Sequence, residues 1–115
     1  MVSPTRAQAE AHYADLATKP FFPGLCAFFS SGPIVAMVWE GQGAILGGRK
    51  LMGTTNPADS APGSIRGDYS IITGRNIIHG SDGADSAEAE IKHWFTAAEI
   101  NEWSSVEAPW IYEKA

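Results

Sequence analysis

The sequence predicts a single mixed α/β domain over residues 1–115, and three observations carry that reading. The run Pro33-Ile34-Val35-Ala36-Met37-Val38-Trp39-Glu40 is almost continuously apolar, the pattern of a strand covered on both faces. Several other stretches repeat their apolar residues at helical spacing. Hydrophobic content of 44% and charged content of 18% suit a folded chain of this length rather than a disordered one.

Taken in order, Pro4 to Leu16 predicts a helix, with Thr5 or Ser3 as cap, four alanines in its body, and Tyr13 and Leu16 on its apolar face. Lys19-Pro20 ends it. Phe21 to Ser31 carries Phe21, Phe22, Leu25, Phe28 and Phe29 at helical spacing. Its first aromatic, Phe21, is placed to stack on a flat ligand. The strand at Pro33 to Glu40 follows, then the glycine-rich Gly41 to Gly48. That turn hints at dinucleotide binding, but no acidic residue follows at the required distance, and the phosphate-loop spacing is also absent. Ala44 to Met52 reads as a short helix carrying Arg49 outward.

Gly53 to Gly67 reads as a long loop, and loops of that length usually serve function or an interface. Ile65 to Tyr69 reads as a helical turn. Its Arg66-Gly67-Asp68 resembles an adhesion tripeptide, a weak motif in a chain without a secretion signal. Ser70 to Thr73 reads as extended. Arg75-Asn76-Ile77-Ile78-His79-Gly80-Ser81-Asp82 predicts a short strand that ends on a histidine and breaks at a glycine. Ser86 to Phe95 reads as an amphipathic helix with a Glu88–Lys92 pair. Thr96 to Trp103 reads as a further helix with a Thr96/Glu99 capping box. In the tail from Val106 to Ala115, Trp110, Ile111 and Tyr112 are expected to dock on the body.

The net charge of −5 argues against broad nucleic-acid binding. Arg49, Lys50, Arg66 and Arg75 nevertheless concentrate positive charge centrally, where a phosphate-bearing ligand would bind. The single cysteine, Cys26, permits no intrachain disulfide and suggests a cytoplasmic setting. Leu25 to Phe29 is too short to span a bilayer. Of the three histidines, His12 and His93 read as surface or packing residues. His79 stands at a strand end with Glu90 in reach, and a carboxylate there would fix its tautomer. From pattern alone, His79 serves equally as a structural or a catalytic residue. A Ser81-His79-Asp82 triad and a protein-held metal site both lack the required spacing.

Asn76-Ile77-Ile78-His79-Gly80-Ser81-Asp82 followed by Ser86-Ala87-Glu88 resembles the signature of nucleoside diphosphate kinases. So do, in the family's order, His12-Tyr13, Lys19-Pro20-Phe21-Phe22, Ser31-Gly32-Pro33, Met37 to Gly41, Thr55 to Ser60, Pro62 to Asp68 and Trp110 to Glu113. The resemblance implies a ferredoxin-like antiparallel sheet with covering helices, and transfer of a γ-phosphate through a phosphohistidine on His79. It implies Glu90 as the residue orienting His79 and Tyr13 as its neighbour. Arg49, Thr55, Arg66 and Asn76 would contact phosphates or sugar, and Phe21 with Leu25 would contact the base. Mg²⁺ would travel with the phosphates, with no protein-held metal site. The expected partners are nucleoside di- and triphosphates and further copies of the chain, as a hexamer or smaller homo-oligomer. No membrane and no specific nucleic acid is implied. Thr73 departs from the small apolar residue usual there.

Matched to the family, Met1 falls just before its second long helix. The first strand, helix and second strand, with a phosphate-binding lysine, are therefore expected to be absent. A gap in the sheet and impaired catalysis are the expectations that follow. The alternative is a non-catalytic member that binds nucleotide or joins full-length subunits.

Overall fold

The computed structural model of the chain describes residues 1–114; Ala115, at the end of the tail segment read above, lies outside the described residues. Six α-helices follow in order: α1 (Arg6–His12), α2 (Phe22–Phe29), α3 (Ala44–Met52), α4 (Ile65–Tyr69), α5 (Ala84–Trp94) and α6 (Ala108–Ile111). Single 3-10 turns occupy Ala14–Leu16, Pro57–Asp59, Thr73–Arg75 and Ala97–Glu99.

The helix starts are set by local chemistry. Thr5 Oγ1 accepts from the Gln8 N–H at 3.1 Å, and Gln8 Oε1 accepts from the Thr5 N–H at 2.9 Å. Two orphan donors of α1 are thereby satisfied reciprocally. Pro23 stands in the first turn of α2, where a missing N–H costs nothing. Gly43 precedes α3 with φ 65°, a left-handed geometry that glycine enters without a side-chain clash. At α5 the Gly83 N–H donates to Ser86 Oγ at 3.0 Å, and that hydroxyl donates to Asp82 Oδ1 at 2.6 Å. The Ser86–Asp82 bond, ahead of other causes, holds the Asp82 carboxyl below its ordinary range. The Glu88–Lys92 pair forms as the sequence predicts, at 3.1 Å.

α1 packs on α2 and α5, and α3 packs on α4. The buried apolar residues are few: Ala9 in α1, Cys26 in α2, Met52 in α3, and the prolines Pro4 and Pro57. Ser64 and Arg66 are buried beside them. The radius of gyration is 16.0 Å, against ~13 Å for a compact chain of this size. The molecule is an open, flattened body whose order comes largely from polar contacts. Among the described residues no helix is long and apolar enough to cross a membrane.

The sheet is where the structure departs most from expectation. Among the described residues the one β pairing is an antiparallel bridge between Val2 and Ile34, with N···O distances of 2.9 and 2.7 Å. The segment at Pro33 to Glu40 forms no ladder beyond Ile34 among the described residues. Val35, Met37 and Trp39 are 66, 59 and 76% exposed rather than buried on two faces. A strand becomes a strand only when neighbours take its N–H and C=O groups. The described residues supply a neighbour at one position.

Ile77 to His79 is not a strand either. Ile77 has φ 60°, and the Ile78 N–H reaches back to the Asn76 carbonyl at 2.8 Å. This is a tight three-residue turn at a β-branched residue, a strained conformation. Two further expectations are corrected. Thr96 to Trp103 contains only the turn Ala97–Glu99, although its capping box forms, with the Thr96 N–H donating to Glu99 Oε1 at 2.9 Å. Trp110 and Ile111 do not dock and are 90 and 61% exposed. Tyr112 alone reaches back, its hydroxyl accepting from the Gln42 N–H at 3.2 Å.

Candidate active site

The segment from Asn76 to Ser81 is suspended from two arginines. Arg66, on the short α4, is almost fully buried. Its Nε donates to the Asn76 carbonyl and its Nη1 to the Thr54 carbonyl, both at 3.2 Å, and its Nη2 donates to the Ile78 carbonyl. One guanidinium thus ties both sides of the strained Ile77 turn to the loop at Thr54. Burial, reinforced by Arg49 nearby, lowers its pKa from a very high starting value. Arg49 is turned inward rather than outward: its Nη1 donates to the Gly80 carbonyl at 2.8 Å. Asn76 Nδ2 adds a tie to the Thr55 carbonyl at 3.0 Å.

Gly80 packs closely on α3: a Cβ there would lie 2.7 Å from Met52 Sδ, so any side chain at this position must displace the flexible end of that methionine.

His79 is held by α5. Its Nε2 lies 2.6 Å from Glu90 Oε2, and Ser81 Oγ donates to the same oxygen at 3.1 Å. A carboxylate accepts, so Nε2 carries the ring proton and Nδ1 keeps the lone pair. The His79 side chain remains 45% exposed.

Against its other side stands His12, edge to face, with centroids 4.7 Å apart. His12 is stacked on Phe29 at 5.3 Å. The Trp94 Nε1–H donates to His12 Nδ1 at 3.2 Å, which fixes that tautomer too. Burial first, and then the neighbouring His79, push the His12 pKa down to about 4; Glu90 opposes this, and His93 adds to it. Tyr13 packs edge-on against His12 at 4.7 Å and Phe29 at 5.3 Å. Burial raises its phenol pKa.

A groove of about 590 Å³ is lined by Arg49, Lys50, Thr54, Thr55 and Asp59 among others, and is linked to the histidine loop through the Arg49–Gly80 hydrogen bond. Phe21 stands at the N-terminal end of α2, 55% exposed, with half-buried Leu25 one turn later.

A nucleoside diphosphate kinase family profile matches residues 1–100. The chain belongs to the nucleoside diphosphate kinase family. A nucleoside diphosphate kinase of Brugia malayi is 54% identical, over 98% of this chain and 74% of the relative. Nucleoside diphosphate kinase B of Flaveria bidentis is 59% identical, over 94% of this chain and 72% of its own length. Among solved structures, a halophilic nucleoside diphosphate kinase from Halobacterium salinarum in complex with CDP superposes with a TM-score of 0.91 at 47% identity. It matches 95% of this chain and 73% of its own. A family protein from Babesia bovis gives 0.92 at 43% identity, over 96 and 74% of the two chains. The chain has the nucleoside diphosphate kinase fold and spans about three-quarters of the length of these relatives.

The structure brings His79 and Glu90 together, ties Arg66 and Asn76 to the histidine loop, and turns Arg49 toward it. It reaches Tyr13 only through His12. Thr55 is exposed and offers its carbonyl to Asn76. Sequence reasoning passed over three participants. His12 looked like a packing residue on an alanine helix, and its one clue was its place beside Tyr13. Trp94 fell within the amphipathic helix without a role of its own. Ser81 was weighed in a triad with His79 and Asp82, whereas it is a hydrogen-bond donor to Glu90.

Proposed function

We propose that this chain transfers the γ-phosphoryl group of a nucleoside triphosphate to a nucleoside diphosphate through Nδ1 of His79. The supporting observation is the 2.6 Å contact of His79 Nε2 with Glu90, which leaves Nδ1 as the one ring nitrogen with a free lone pair. In the first half-reaction Nδ1 attacks the γ-phosphorus and the bond to the β-bridging oxygen breaks. The nucleoside diphosphate leaves with that electron pair. In the second, a terminal oxygen of an incoming diphosphate takes the phosphoryl group and the N–P bond breaks, so both halves use one site.

The protein's work is positioning and charge. Glu90 is a positioning residue that favours positive charge on the imidazole as Nδ1 bonds to phosphorus. Arg49 presents its remaining N–H groups to the groove. Arg66 has three of its five N–H groups committed to carbonyls and acts through its charge and the donors left. Thr55 and Asn76 flank the groove as polar contacts for phosphate or sugar. Phe21, with Leu25 behind it, offers a face to any base, so recognition by stacking tolerates several nucleotides.

Mg²⁺ needs oxygen ligands in near-octahedral order. The one cluster of suitable donors among the described residues, His12, His79 and Glu90, is dominated by nitrogen and does not fit it. Magnesium is therefore assigned to the nucleotide's own phosphate oxygens, and no step is routed through protein-held metal.

The finer expectations complete the proposal. Residues 1–115 act as one domain. The exposed segment at Pro33 to Glu40 belongs to a ferredoxin-like antiparallel sheet, and the chain acts as a homo-oligomer in the cytoplasm. Sedimentation of the purified chain tests the assembly. Incubation with γ-labelled ATP and magnesium tests the chemistry. The expected product is an acid-labile phosphate on the chain, lost in His79→Ala and discharged by unlabelled nucleoside diphosphate. A label surviving in His79→Ala overturns the assignment.

A further inference from the structure

We propose that His12, His79 and Glu90 form a binding site for a borderline divalent transition ion of the Zn²⁺ class, and that its occupancy blocks phosphoryl transfer. The three donors come from three separate segments: the end of α1, the Asn76–Ser81 loop and the middle of α5. One ligand atom from each converges within 4.8 Å of the others. Two imidazoles and one carboxylate are a donor set that tetrahedral zinc accepts, with a fourth position left for water. At about 2.0–2.1 Å per bond the donors must stand about 3.3 Å apart. The His79–Glu90 pair, at 2.6 Å, opens slightly, and the wider separations close by roughly 1.5 Å. Side-chain adjustments cover both. His12 and Glu90 also line a cleft of about 240 Å³ between α1 and α5, bordered by Asp15 and His93. That cleft gives an ion an entrance flanked by carboxylates.

Proton accounting explains the consequence. A neutral imidazole has one lone-pair nitrogen, and a metal ion takes it. If the ion binds His79 Nδ1, the nucleophile is occupied. If it binds Nε2, the proton there moves to Nδ1, which then has no lone pair to offer phosphorus. Transfer stops in either geometry. The same argument holds at His12: whichever nitrogen coordinates, Nδ1 no longer accepts from Trp94. Zinc binding must therefore break the Trp94–His12 hydrogen bond, and indole emission reports it. Magnesium, preferring oxygen, leaves both imidazoles alone.

Binding stands on the geometry alone, and the blocking effect rests on the phosphohistidine reading. The test titrates Zn²⁺ into the metal-free full chain, read by calorimetry and tryptophan emission with millimolar Mg²⁺ present. One ion per chain is expected. The affinity should fall at least about tenfold in His12→Ala and, independently, in Glu90→Gln, while His93→Ala keeps it. The emission change should vanish in Trp94→Phe. Phosphohistidine labelling should fall with zinc occupancy, and half-inhibition in His12→Ala should shift by the factor found for binding. Absence of one-to-one binding, affinity unchanged in both His12→Ala and Glu90→Gln, or displacement by magnesium overturns the site. Zinc bound at full occupancy with undiminished labelling overturns the blocking. Failure of the zinc-free wild type to be labelled counts against the transfer reading, and the binding result still decides the site.

Discussion

Two stretches of this chain meet the same demand, satisfying backbone groups outside helices, in opposite ways. Around Asn76 to Gly80, side chains from near and far do it: Arg66, Arg49 and Asn76 bind carbonyls of Thr54, Thr55, Asn76, Ile78 and Gly80. The result is a fixed loop with a strained Ile77 at its centre. From Val35 to Glu40, the backbone relies on a ladder, and among the described residues none is present beyond the bridge at Ile34. Val35, Met37, Val38 and Trp39 of the second stretch are apolar and exposed, whereas the carbonyls of the first are held by polar side chains. Order at the candidate site is thus carried by a guanidinium hub rather than by a sheet.

That contrast is broken most severely at Arg66. Removing it takes the donor from the Asn76, Thr54 and Ile78 carbonyls, three part-buried hydrogen bonds to a charged group that contribute about 1.5–3 kcal/mol each. Arg66→Ala is expected to lose ~3 kcal/mol or more in urea unfolding. Arg66→Lys should recover little of it, because an ammonium lacks the planar fork. A loss below ~1 kcal/mol would show that the hub does not carry the loop. Next in size is Glu90→Gln. The amide keeps the shape but no longer enforces the Nε2–H tautomer, and phosphoryl transfer should fall on the order of 10²-fold with folding intact. Rate and stability measured side by side separate this from a folding defect.

The sequence made most of this legible, for identifiable reasons. Helices α1, α2, α3 and α5 follow from periodicity and caps; α3 has the expected bounds, and the ends of the other three shift by one to four residues because caps compete locally. The His79–Glu90 pair was legible through the family signature. The hub was not. Arg66 reads as a phosphate contact on a helical turn, and nothing in its neighbours announces that Thr54, Asn76 and Ile78 converge on it. Ile77-Ile78 promised a strand because β-branched residues fit sheets, yet the pull of Arg66 on flanking carbonyls favours a tight turn. The run Ile34 to Val38 states what that segment would bury in a sheet. It says nothing about whether a neighbour lies within the described residues.

Smaller effects sharpen the comparison. Glu99 accepts from the Thr96 N–H and hydroxyl, and these bonds hold its carboxyl below its ordinary 4.5. A carboxylate whose folded pKa is depressed contributes stability above its unfolded value and loses it as pH falls through the lower folded value. Thermal midpoints of wild type and Glu99→Gln should therefore differ most at neutral pH and converge below pH 4.5. A constant difference across that range would deny the cap its charge. Smallest of all is Trp39→Ser. With Trp39 76% exposed, the unfolding free energy should change by no more than ~0.5 kcal/mol. A loss near the ~3–5 kcal/mol typical of a core tryptophan would show that Trp39 is buried rather than exposed.

The central claim is that Glu90 holds His79 so that Nδ1, and not Nε2, takes the phosphoryl group. Proton–phosphorus correlation NMR on the chain phosphorylated with ATP and magnesium tests it directly. The geometry predicts a single phosphohistidine with phosphorus on Nδ1 of His79. Phosphorus on Nε2, or on another residue, would contradict it.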